Sequence, residues 1–199
     1  MRRVNWWWPL WAVLAWWATA VHAGPGPEQV IQNSYTSLRQ LIDSRQLVAG
    51  MPEEQLFALM ERELTPVVDF PRVARKVMGK YARRASNEQH LRFTEVFKKT
   101  LVSTYSKGLE HLDRLEAVEV AAPVFNEQQS LAKVPMTIRL TGGESYAVVY
   151  SMFITGEGSW LVENIVVEGV NIGLVMRNQF AHYMDQYNDV EAAITNWGS

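Results

Sequence analysis

Residues 160–170, WLVENIVVEGV, constrain the fold more than any other stretch. The run is rich in β-branched residues and follows the turn-forming TGEGS at 155–159, which predicts a strand. A strand with one wet face alternates apolar and polar residues. Here Leu161, Ile165 and Val167 are apolar at odd positions, and Trp160, Val162, Val166 and Val170 at even ones. Both faces therefore need cover. Either helices pack on one face while the other curls over a second small core, or a curled sheet and the helices enclose an apolar cavity.

The rest of the chain supplies the partners. Ile31, Tyr35, Leu38 and Ile42 fall at helical spacing, as do Leu56, Phe57, Met60 and Leu64 after Pro52. SNEQ at 86–89 reads as a capping box opening the longest helix, whose stripe is Phe93, Val96, Phe97, Leu101, Tyr105 and Leu109. From about residue 114 the period changes to two. Leu115, Val118 and Val120 suggest a first strand. Val134, Met136, Ile138 and Leu140 suggest a second, with Pro135 pointing to a free edge. Tyr146, Val148, Tyr150, Met152 and Ile154 give a third, and the opening run is the fourth. The short Gly-rich turns TGGE and TGEGS make the sheet antiparallel. Two further helices close the chain. This order predicts an α+β fold of N-terminal helices, a four-stranded antiparallel curled sheet and C-terminal helices.

The N-terminus reads as a targeting segment. Arg2 and Arg3 precede an apolar run, and Val21 and Ala23 suit cleavage after Ala23, giving a signal peptide at 1–23 and one domain at 24–199. Cleavage would leave 17 basic against 21 acidic side chains, which argues against nucleic acid as a partner. With no Cys there is no disulfide framework and no thiol chemistry.

Against that negative balance, DFPRVARKVMGKYARRAS at 69–86 holds one acid and six bases. Phe70, Val73, Ala74, Val77, Met78 and Tyr81 share one side of a helix. Arg72, Arg75, Lys76, Lys80 and Arg83 share the other, with Gly79 a candidate interruption. The basic side is either a solvated face or a site for anionic headgroups or a membrane surface. For catalysis the sequence offers little. His90, His111 and His182 lack metal-ligand spacing, and no G-x-S-x-G motif is present. Glu163 and Glu168, five apart on one strand, are expected on opposite faces. No metal, cofactor or catalytic residue is expected.

Two blocks resemble a known family. VDFPRVARKVMGKYARRASNEQHLRFTEVFKKTLVSTY at 68–105 is similar to the signature of the MlaC, or toluene-tolerance, family, through Asp69-Phe70, Gly79, Phe93, Phe97 and Tyr105. WLVENIVVEGVNIGLVMRNQF at 160–180 resembles the family's closing strand and helix through Trp160, Glu168-Gly169-Val170, Arg177 and Phe180. The chain departs at Ala82, where the family often has an aromatic.

The resemblance implies a cone-like fold, distantly similar to nuclear transport factor 2, with an apolar cavity for acyl chains. It implies a periplasmic phospholipid carrier working between an inner-membrane ABC-type complex and an outer-membrane lipoprotein–porin complex. The expected lining is Val73, Val77 and Tyr81 on the basic helix, and Phe97, Leu101 and Tyr105 on the long one. From the strands it is Met136, Ile138, Val148, Tyr150 and Met152, with Ile165 and Val167. The rival readings are a periplasmic chaperone or lipoprotein carrier, a hopanoid carrier and, last, a cavity enzyme.

Overall fold

The computed structural model describes residues 24–105 and 114–197, apart from the side chain of Tyr105. The expected leader at 1–23, Leu109 of the long-helix stripe and His111 lie outside the described residues. The helices α1 (Pro27–Asp43), α2 (Glu53–Leu64), α3 (Phe70–Met78) and α4 (Asn87–Tyr105) come first, with a 3₁₀ turn at Gly79–Arg84 between the last two. Strands β1 (Leu115–Val120), β2 (Val124–Phe125), β3 (Leu131–Leu140), β4 (Ser145–Ile154), β5 (Trp160–Val167) and β6 (Val170–Asn171) follow. Helices α5 (Ile172–Tyr187) and α6 (Val190–Thr195) end the chain.

Local chemistry sets these boundaries. Asp69 caps α3 by accepting the Arg72 N–H at 2.9 Å, and Gly79 ends it at φ +56°, ψ −126°, a conformation open essentially to glycine. The capping box forms at α4: the Gln89 N–H donates to Ser86 Oγ at 3.2 Å and the Ser86 N–H to Gln89 Oε1 at 3.0 Å. Asn171 and Asp189 cap α5 and α6 as Asp69 caps α3, accepting the Leu174 and Ala192 N–H.

The sheet is antiparallel throughout, in the order β1-β3-β4-β5-β6, with β2 pairing onto β3. It is curled and does not close. Six strands replace the four expected, because β2 and β6 are two residues each, too short to carry a period. Pro135 marks no free edge. Strand β3 has β4 on one side and both β1 and β2 on the other, and the proline falls at the break between those two.

Two irregularities in register answer the opening puzzle. Ser151 pairs with Asn164 while Met152 pairs with Val162, so Glu163 is an extra residue in β5. A bulge of this kind reverses which residues face inward. Trp160 and Val162 before it, and Ile165 and Val167 after it, all pack in one apolar cluster. The register shift between Leu115 and Ala117 does the same in β1, putting Leu115 and Val118 on one wall. Both bulges also bend the sheet.

There are two main cores. Along the inner face of the sheet, Val30 and Ile31 of α1 meet Val134, Met136, Val148, Met152 and Val162. The second core is helical and joins α3, α4, α5 and α6 around Phe93, Phe97, Phe180 and Trp197. Phe93 lies edge-on to Phe180 at 4.8 Å and to Trp197 at 5.3 Å between centroids. The α3 and α5 helices reach the outer face of β5, where Glu163 and Asn164 receive them.

Candidate functional site

An apolar hollow of about 460 Å³ lies between α1 and the inner face of the sheet. One wall is the stripe Ile31, Tyr35 and Leu38 of α1, with Ser34 beside it. The segment after α2 adds Leu64, Val67 and Val68, and the sheet adds Leu115, Val118, Met136, Ile138, Leu140, Tyr146, Tyr150 and Val162. The 67–68 segment is fixed against β5, since the Val162 N–H donates to Val67 O at 2.8 Å. A bond from Ser37 Oγ to Glu63 at 2.6 Å ties α1 to the end of α2. That bond, which outweighs the opposing effect of burial, and Arg62 after it hold the Glu63 carboxyl below its ordinary range.

No lining residue is charged. The polar atoms along the wall are the hydroxyls of Ser34, Tyr35, Tyr146 and Tyr150. Burial pushes the Tyr150 phenol up to about 12, so it stays neutral. Tyr146, at 40% exposure, lies at the open end, whereas Ile31, Met136 and Val162 form the buried floor. The arrangement suits an apolar ligand, since the wall is mostly aliphatic and aromatic and carries no charged side chain. Among the described residues no cluster of His, Asp or Glu suits a metal ion, and no helix is long and apolar enough to cross a membrane.

The expected lining residues divide. Met136, Ile138 and Tyr150 stand on the hollow. Val148, Met152, Ile165 and Val167 share its sheet face and flank it within the same cluster. Val73, Val77, Tyr81, Phe97 and Leu101 are not brought there. They pack in or against the helical core, and Tyr81 bonds to Asp185 at 2.9 Å. Their helical stripe is satisfied by other helices, not by the sheet. The residues missed are those of α1 and the 64–68 segment. The i, i+4, i+7 spacing of Ile31, Tyr35 and Leu38 was the available signal.

The basic side of α3 lies on the outer face of the sheet, away from the hollow. Arg72 and Lys76 reach Glu163 at 2.8 and 2.7 Å, and the Arg72 guanidinium stacks over Phe153 at 3.8 Å. Burial alone would raise the Glu163 pKa. Hydrogen bonds from Lys76 and Arg72 outweigh it and hold the carboxyl below its ordinary range. Arg75 and Arg83 line an open groove with Gly79, and Lys80 lies over the Tyr81 ring at 4.9 Å.

The family model described as MlaC protein matches residues 32–199. The toluene tolerance protein ttg2D of Pseudomonas putida is 31% identical over 177 residues, spanning 88% of this chain and 81% of that one. A phospholipid-binding protein from Ralstonia solanacearum, solved in complex with a phospholipid, has the same fold: the TM-score is 0.78 at 21% identity, covering 86% of this chain and 94% of that one.

Proposed function

Because this chain belongs to the MlaC protein family, we propose that it is a periplasmic carrier that holds phospholipid acyl chains in the hollow between α1 and the sheet. In this reading it shuttles lipid between an inner-membrane ABC-type complex and an outer-membrane lipoprotein–porin complex, and it catalyses no covalent step. The observation that carries the reading is the uncharged hollow itself, about 460 Å³ and walled by aliphatic and tyrosyl side chains.

The energetics favour such a device. A diacyl phospholipid has roughly 30 methylene groups, and at ~0.8 kcal/mol each its escape into water costs on the order of 25 kcal/mol. Unaided crossing of an aqueous gap is negligible. A dry wall replaces the hydrocarbon of the bilayer, so exchange between bilayer and protein is near balance, and direction is imposed by the membrane complexes. The headgroup stays in water, outside the Tyr146 end, which avoids burying its charge.

The test is native mass spectrometry of the purified protein, followed by extraction and lipid analysis. The expected result is an added mass of phospholipid size. A protein that purifies empty and takes up no phospholipid from vesicles overturns the proposal. A co-purified polypeptide instead identifies a chaperone or lipoprotein carrier, and a hopanoid mass identifies a different lipid class.

A further inference from the structure

The basic stretch of α3 separates into two groups once its contacts are known. Arg72 and Lys76 are turned toward Glu163. All four of Arg72, Lys76, Arg75 and Arg83 line one open groove together with Asp69, but Arg75 and Arg83 have no carboxylate partner among the described residues. Arg177 of α5 joins them: a Cβ on Gly79 would stand 2.8 Å from its Nε, so the glycine is what lets this guanidinium lie against the groove. It too has no carboxylate partner among the described residues. The nearby acids are engaged. Asp69 caps α3, and Glu163 is held by its two cations.

On α5, one turn before Arg177, Leu174 is 50% exposed. It is not needed for the helical core, which α5 meets through Met176, Phe180 and Met184. Unpaired arginines next to exposed aliphatic side chains form the two-part signature of reversible attachment to an anionic lipid surface. Guanidinium groups match the oxygens of a phosphate in fork geometry.

We propose that this face docks the protein on an anionic phospholipid bilayer, with Arg75, Arg83 and Arg177 at the phosphates and Leu174 in the interfacial layer. The choice of occupant rests on the carrier reading, since a chain that takes up phospholipid must approach surfaces made of it. The net charge of the whole chain is −2, so the bilayer attracts this face and not the remainder, which orients the approach. Contact through so few cations is weak and short-lived, as a shuttle requires.

Co-sedimentation with vesicles of phosphatidylglycerol mixed with phosphatidylcholine, against pure phosphatidylcholine, tests this. The wild-type protein should prefer the anionic vesicles and release them at about 1 M salt, where charges are screened beyond ~3 Å. Each surface cation strengthens such binding about five-fold, so R75E/R83E should weaken it by roughly 25-fold or more. R75K/R83K should retain most of it, and L174S should weaken binding even at low salt. Equal binding to both vesicle types, or an R75E/R83E variant that sediments like the wild type, overturns the proposal. The two readings fail separately. Charge-selective docking by a protein that never holds phospholipid removes the carrier reading alone, and a lipid-loaded protein indifferent to vesicle charge removes the docking face alone.

Discussion

Glu163 connects the two faces of the sheet. As the extra residue of the β5 bulge it lets Val162 and Ile165 both point inward, while its own carboxylate holds Arg72 and Lys76 outside. Its side chain is only 12% exposed, so removing the charge leaves two cations without their partner. Glu163→Gln should destabilise the fold by about 1–3 kcal/mol at neutral pH, measured by urea unfolding. The pH dependence follows from the direction of the shift. The folded pKa lies below the ordinary 4.5, so the wild-type advantage is complete above that value and is lost as pH falls through the folded pKa. The gap between wild type and variant should therefore be full at neutral pH and close under acid conditions. A gap independent of pH would mean that the carboxylate is not the source of the stability.

At the scale of elements, the period-2 and period-3.6 patterns recovered α1 to α5 and the four long strands, because each carries at least one apolar face. The capping box was legible for the same reason: its chemistry is local, with Ser86 and Gln89 three residues apart. Ser86→Ala should cost about 1 kcal/mol, read by thermal or urea unfolding, with the hollow unaffected. Bulges were not legible. A doubly apolar strand reads as one buried on both sides, whereas β5 meets that condition by changing parity at a glutamate. Partner choice was equally hidden. The stripes Val73–Val77–Tyr81 and Ile31–Tyr35–Leu38 look alike in sequence, yet the first packs on helices and the second on the sheet. The lining expected from the sequence therefore coincides with the candidate hollow at Met136, Ile138 and Tyr150 of its sheet wall and includes none of its α1 wall. Nor does charge alone separate Arg72 and Lys76 from Arg75 and Arg83; only the location of Glu163 does.

For the molecule as a whole, the division into two cores governs how stability and binding relate. Filling the hollow should affect binding and not folding. Ile138→Trp is expected to lower the bound-lipid content while leaving urea stability near that of the wild type. Phe180→Ala in the helical core should do the reverse, costing about 3–5 kcal/mol while the folded fraction keeps its lipid. Equal effects of both variants on lipid content would mean that the cores are coupled.

The core around Phe93, Phe97, Phe180 and Trp197 meets the hollow's wall at Leu64 and Val68, which pack against the one and line the other. In the proposed carrier role most of this frame stands apart from the cargo, so the return journey can be made empty without the chain coming apart.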